Sequence, residues 1–312
     1  MNERFDWNGF SRRQFMAGAA GAGLVAGLPA SVLAQAAGPI QKRKIPHSGE
    51  ELPVVGIGTA IIFDIQNDAA AKAERKLVIE ELLKGGGSLI DTAPAYGAAE
   101  TVLGEVCAGI ANRDKLFLAT KVGQGSPAEM KASMEGSLQR LRVDKVALMQ
   151  YWNVRAGADL GAINEFKAAG KCRYVGITTS SERAYDDVAE VLGRAKPDFF
   201  QVNYSLESRE SDKKLIPMAK DQGAAVLINL PFGRNQLFKK TAGKPLPDWA
   251  KEIQATSWAQ VFLKFILSTP GVNAVIPGTD KPQYMLDNLN AGRGPMPDAA
   301  MRKTIIDYWE SL

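Results

Sequence analysis

The sequence predicts an α/β fold: a (β/α)8 TIM barrel with an N-terminal β-hairpin and a long loop after the seventh strand. Three observations predict it. Short apolar runs alternate with helical patterns eight times along the chain. The runs are apolar throughout rather than alternating, as expected of parallel strands covered on both faces. Once a leader is set aside, the 312-residue length suits one large domain of the size such barrels have. An open doubly wound sheet is the rival topology, but no GxGxxG follows the first strand to support it.

The chain opens with Ser11-Arg12-Arg13-Gln14-Phe15-Met16, then an uncharged Ala/Gly-rich run over 17–29 and small residues around Val32-Leu33-Ala34. This resembles a twin-arginine export signal cleaved after Ala34 or nearby. It divides the chain into a leader, residues 1–34, and a barrel, residues 35–312, with the twin-arginine export machinery as a partner and the periplasm as destination. The apolar run is too short and too rich in Gly and Ala for a stable membrane span. A net charge of +4, spread along the chain without basic clusters, argues against a nucleic-acid partner. Cys107 and Cys172 lack metal-type spacing, so no metal site is expected. A disulfide is not expected either, since this export route accepts proteins already folded in the reducing cytoplasm.

Residues 42–54 alternate weakly around Ser48-Gly49, a hairpin signal that would plug the bottom of a barrel. The hairpin holds the only histidine, His47. The eight units then follow as strand and helix: 54–59 with 69–84, 88–93 with 99–112, 116–122 with 127–141, and 146–152 with 160–169. The second half runs 174–179 with 183–194, 199–205 with 212–222, 225–231 with 257–267, and 274–279 with 282–289. The insert over 232–256 is too long for a plain connection and is expected to fold over the site as a lid.

Barrel enzymes carry their chemistry at the C-terminal strand ends. Those ends hold Asp91, Lys121, Gln150, Trp152, Thr178, Thr179, Gln201, Asn229 and Thr279, with Tyr96 in the turn after Asp91. An isolated Asp after a strand usually only organises its turn. Here the next strand also ends in one ionisable residue, so a carboxylate, a phenol and an amine meet on one rim. The Lys121 ammonium is expected to lower the Tyr96 phenol below its ordinary pKa of about 10, with Asp91 keeping Lys121 charged and placed. Tyr96 could then protonate a carbonyl oxygen as the carbon receives a hydride.

These residues resemble the aldo-keto reductases, nicotinamide-dependent barrel enzymes that reduce aldehydes and ketones. The likeness rests on Asp91-Thr92-Ala93 with Tyr96-Gly97 and Glu100, on Thr120-Lys121, and on Gly176-Ile177-Thr178. It continues through 201–205 (QVNYS), 231–234 (PFGR) and 276–279 (IPGT) with Asn288. The resemblance implies that Asp91, Tyr96 and Lys121 are catalytic. It implies that Thr178, Thr179 and Gln201 hold the nicotinamide carboxamide, although the usual pair at the first two is Ser-Asn. It places the pyrophosphate near Phe232, Gly233, Arg234 and Gln236, and the adenosine end near Gly278, Thr279, Lys281 and Asn288. Independently of it, Pro282 at a helix start offers backbone N–H groups to a phosphate, with Lys281 before it.

Three departures stand out. The family's fourth catalytic residue is a histidine, and Trp152 takes that place, so it is expected to narrow the substrate pocket without shuttling a proton. Asn229 stands where many members stack a tyrosine under the nicotinamide. Gly278 and Tyr284 stand where many carry cations for the ribose phosphate, with Asp280 nearby, so NADP(H) is only weakly preferred and NAD(H) stays open. The substrate implied is a small carbonyl compound or alcohol. The second reading is a barrel that binds the cofactor with little or no turnover, as a binding or sensing protein.

Overall fold

The computed structural model describes residues 38–312, so the leader expected over 1–34 lies outside the described residues. Strands β1 (Lys42–Lys44) and β2 (Glu51–Pro53) pair antiparallel, with Lys44 opposite Glu51. Their turn is closed by Ile45 N–H donating to Glu50 O at 2.8 Å. Eight parallel strands follow: β3 (Ile57–Gly58), β4 (Leu89–Asp91), β5 (Phe117–Val122), β6 (Val146–Tyr151), β7 (Cys172–Thr178), β8 (Phe199–Asn203), β9 (Ala225–Asn229) and β10 (Val272–Val275). Each lies beside its neighbour in sequence. Parallel bridges from Val55 to Val275 and from Gly58 to Gly278 close the seam between the first and the last. The seam needs glycine: a Cβ at Gly58 would stand 2.9 Å from Ile276 O.

The helical layer begins with α1 (Ala69–Lys84), whose cap Asp68 accepts from Ala71 N–H at 2.9 Å. Next come α2 (Ala99–Ala108), α3 (Pro127–Leu141), α4 (Gly161–Ala168), α5 (Tyr185–Ala195), α6 (Glu210–Lys213) and α7 (Leu215–Asp221). Helix α3 starts on a Ser126–Glu129 capping box with Pro127 in its first turn. Helix α2 stops short of the expected Asn112, which adopts a left-handed φ of 60° before a 3-10 turn. The helix expected over 212–222 is broken at Lys214 into α6 and α7. The insert contains α8 (Gln236–Thr241), followed by α9 (Trp258–Leu267) and α10 (Pro282–Ala291). A final helix, α11 (Ala299–Ser311), was not anticipated, although its cap Asp298 accepts from Met301 N–H at 2.8 Å. Among the described residues, no helix is long and apolar enough to cross a membrane.

Side chains alternate along each strand. Val175, Ile177, Phe200, Val202, Val226 and Ile228 join the core under the helices. Leu89, Phe117, Ala119, Leu148, Tyr174, Phe199, Leu227 and Ala274 fill the barrel interior, where Ile45 and Leu52 of the hairpin close the bottom. Tyr174 donates to Glu50 and ties the plug in place at 2.6 Å. Part of the insert packs on the helical layer. Its buried Leu237, Ala250 and Ile253 join the helical core, and Trp249 packs edge-on against Tyr308 of α11 at 5.8 Å. Trp258 of α9 donates to Lys244 O at 3.0 Å. A segment with so much apolar area to bury is held on the helical layer.

Candidate active site

Two residues beyond an inward apolar side chain on five of the strands, the interior turns polar. Asp91 follows Leu89, Lys121 follows Ala119, Gln150 follows Leu148, Gln201 follows Phe199, and Asn229 follows Leu227. Period-two alternation alone therefore aims these five into the C-terminal mouth.

Asp91 is the hub. Lys121 donates to its Oδ2 at 2.5 Å, while Gln201 and Gln150 donate to its Oδ1 at 2.8 and 3.1 Å. Lys121 also donates to Thr92 O at 2.9 Å. Burial lowers the Lys121 pKa, but attraction to Asp91 and to Tyr96, with their hydrogen bonds, outweighs it and leaves the ammonium raised above its ordinary value. The pair sits deep in the protein with every Asp91 oxygen satisfied, the condition under which a buried ion pair is tolerated. One strand over, Thr120 points outward and donates to buried Glu100 of α2, which Arg140 of α3 also reaches at 2.8 Å. That network braces β5 from behind.

Tyr96 sits half-buried on the turn between β4 and α2, with the Lys121 ammonium 5.0 Å from its ring centroid. The expected lowering of its phenol does not survive. Burial raises the Tyr96 pKa and outweighs the lowering by Lys121, while the Asp91 charge raises it further. Tyr96 is thus a protonated acid at neutral pH.

Trp152 shares the parity of Gln150 and Leu148 and stands edge-on to Tyr96, ring centroids 6.4 Å apart. Asn153 takes a left-handed φ of 49°, and its Oδ1 accepts from Ser180 N–H at 3.2 Å. His47 is at the other end of the barrel, 3.2 Å from Asp198 before β8.

The residues expected around a cofactor are placed as follows. Thr178 Oγ1 accepts from Asn153 N–H at 3.1 Å, and Thr179 Oγ1 bonds Ser181 N–H and O, both at 3.2 Å. The Thr179 hydroxyl serves its own local backbone, while that of Thr178 ties its strand end to the end of β6. The Gln201 amide nitrogen is spent on Asp91, and Asn229 Nδ2 reaches Thr179 O at 3.0 Å. Asn229 Oδ1 and Gln150 Oε1 are buried with no hydrogen-bond partner among the described residues. Two such acceptors at one mouth suit the N–H groups of a carboxamide, the polar handle of nicotinamide.

Phe232 packs against Phe238 and Phe262, centroids 4.8 and 6.5 Å away. Gly233 and Arg234 both take positive φ, 54° and 53°, in the turn before α8. Gln236 lines a cavity of about 400 Å³ with Glu207, Lys239, Lys240 and Trp309. Beyond β10, Asn288 donates to Thr279 Oγ1 at 2.7 Å, fixing the loop to α10. Gly278 leaves ordinary contact distance around a would-be Cβ, 3.8 Å to Gly58 O. Lys281 precedes Pro282 as read, but Glu74 of α1 lies 3.5 Å from its ammonium and offsets the charge expected there.

Cys107 and Cys172 are free and buried, their thiols pushed up to about 12 and about 11 by burial. Sequence reasoning did not find the partners of Asp91 in Gln150 and Gln201. The parity of their strands was the available signal.

The model of the aldo/keto reductase family matches residues 54–304, and the chain belongs to that family of oxidoreductases. Among curated proteins, it is similar to methylglyoxal reductase YeaE of Escherichia coli (strain K12), 30% identical over 249 residues covering 76% of this chain and 84% of that one. Among solved structures, it superposes on an aldo/keto reductase from Klebsiella pneumoniae in complex with NADP and acetate, with a TM-score of 0.72, 22% identity, and coverage of 86% and 96% of the two chains. The holo form of aldo-keto reductase AKR11C1 from Bacillus halodurans gives 0.69 and 23%, with coverage of 86% and 96%. At these identities the structural likeness shows the fold.

Proposed function

We propose that this protein is an exported oxidoreductase that moves a hydride between a nicotinamide cofactor and an aldehyde, a ketone or the corresponding alcohol. Tyr96 is its general acid in reduction and its general base in oxidation. The observation that carries the reading is the Tyr96 phenol facing an ammonium that Asp91 holds at 2.5 Å. The family and the name of the methylglyoxal reductase support a small carbonyl substrate.

When bound, the nicotinamide supplies or accepts the hydride. Tyr96 gives its hydroxyl proton to the carbonyl oxygen, and Lys121 stabilises the phenolate as it forms. Asp91, held by Gln150 and Gln201, keeps that ammonium charged and aimed. Asn229 Oδ1 and Gln150 Oε1, buried without partners among the described residues, would accept from the carboxamide. NADP(H) is weakly preferred, on the Klebsiella complex, while the Glu74 carboxylate beside Lys281 works against a 2′-phosphate and keeps NAD(H) open.

The twin-arginine motif over 11–16 supports export to the periplasm. Arg12→Lys with Arg13→Lys should leave the precursor in the cytoplasm. Export at the native rate would refute this.

A cofactor-binding barrel with little turnover is the second reading, favoured by Trp152 packed edge-on to Tyr96 in place of a proton-carrying histidine. Tyr96→Phe separates the two. It should abolish reduction of nitrobenzaldehyde while leaving nucleotide binding, measured by calorimetry, nearly unchanged. Wild-type activity in that variant would remove the mechanism.

A further inference from the structure

We propose that Asp64 is a positioning residue for Tyr96: its carboxylate, accepting from the Ala98 backbone N–H, latches the turn that carries the phenol. This rests on Tyr96 being the proton donor of the proposed reaction.

Asp91 and Lys121 lie on strands, and the sheet ladder fixes them. Tyr96 lies on a turn and has no ladder to hold it. Its own turn supplies only Tyr96 N–H to Ala93 O at 3.1 Å and Ala99 N–H to Tyr96 O at 3.2 Å. Ala98 caps α2 and brings no side chain able to satisfy the orphan N–H groups of the helix start. Asp64 Oδ1 fills that role from 34 residues away, accepting from Ala98 N–H at 3.0 Å. A carboxylate at this end is also favoured by the positive pole of the helix.

The turn is shaped to admit the carboxylate. Gly97 takes a φ of +64°, and a Cβ there would stand 2.4 Å from Asp64 Oδ1. Glycine at 97 thus provides both the left-handed backbone and the space for Asp64.

Asp64 is in turn anchored to the catalytic strand. Thr59 N–H donates to Asp91 O at 2.9 Å, Phe63 N–H to Thr59 O at 3.1 Å, and Asp64 N–H to Ile61 O at 3.1 Å. Phe63 is fully buried, and Arg75 of α1 holds Ile62 O at 2.7 Å. Between them Ile61, a β-branched residue 60% exposed, takes a φ of 69° and is spanned by Ile62 N–H to Ala60 O at 2.8 Å. That is a strained γ-turn, which persists only where its surroundings over-determine it. The loop therefore joins the Asp91 backbone to the Tyr96 turn by a route independent of Lys121. Proton transfer requires the phenol within about 2.6–3.2 Å of its acceptor, so this second tether bears directly on the rate.

The test compares Asp64→Ala with Asp64→Asn, which keeps an acceptor oxygen. Asp64→Ala should lower kcat for carbonyl reduction on the order of 10- to 100-fold, the cost of a misplacement of about 1 Å, with nucleotide affinity unchanged. Asp64→Asn should retain most of the rate. A second readout needs no turnover: in protein carrying 13C at the tyrosine Cζ, with the Tyr96 signal assigned by Tyr96→Phe, Asp64→Ala should move the phenol titration toward its ordinary value of about 10. Asp64→Asn should leave it in place. If Asp64→Ala does not fold, Asp64→Ser, too short to reach Ala98, replaces it in both measurements. Wild-type kcat with an unmoved Tyr96 titration in Asp64→Ala, or Asp64→Asn as impaired as Asp64→Ala, would overturn the inference. An inactive Tyr96→Phe beside a fully active Asp64→Ala would sink this inference alone, whereas an active Tyr96→Phe would sink the reductase reading.

Discussion

Replacing Lys121 with Met removes the ammonium and keeps the bulk, and its cost can be worked from the contacts it leaves behind. Side chains of Lys121 and Asp91 are 1% and 3% exposed, so the orphaned carboxylate cannot turn to water. Breaking a buried pair from one side costs about 3–5 kcal/mol. Here Oδ1 keeps its two amide donors, Gln150 and Gln201, and only Oδ2 is stranded. The lower end, about 3 kcal/mol, is therefore expected, or roughly 6–12 °C in Tm for a domain of this size. Urea denaturation of Lys121→Met and wild type at neutral pH should show that deficit. Adding Asp91→Asn should recover more than about 1 kcal/mol relative to the sum of the single variants, since the two sites touch. A deficit below about 1 kcal/mol at neutral pH would refute the reasoning.

Because burial keeps the Tyr96 phenol raised, carbonyl reduction should stay flat from about pH 6 to 9, where the acid form prevails. Alcohol oxidation, which needs the phenolate, should climb across the same range, and a reduction rate that falls through pH 8 would contradict the assignment. Trp152→His should raise turnover on small aldehydes by about ten- to a thousandfold, the range one positioned donor supplies. A fall in steady-state kcat would instead make Trp152 part of a dedicated substrate pocket. Lys264 of α9 is fully buried on Arg293 O and Pro295 O, and burial lowers its pKa to about 8. Between about pH 8 and its unfolded value of about 10.5, the unfolded chain holds the proton that the folded chain has lost, so stability from this group rises with pH, by roughly 3 kcal/mol in all. Lys264→Met should lack that rise in denaturant titrations, and an identical pH profile would disprove it.

The sequence by itself determined the ladder of elements. The eight strands and most of the helices announce themselves over a few adjacent residues, through apolar runs and turn chemistry that act locally; α11 did not. Helices over 69–84 and 127–141 stand where the sequence pattern placed them. The strand ends likewise placed Asp91, Lys121 and Trp152 on one rim of the barrel. Only the tertiary structure decided what those side chains meet. Gln201 reaches Asp91 across 110 residues and Asp64 reaches Ala98 across 34, distances over which no local pattern carries a signal. The sign of the Tyr96 shift also needed the fold, because it is a contest between one nearby ammonium and the desolvation produced by everything packed around the ring. The sequence names the ammonium, but desolvation depends on how much water the assembled barrel excludes.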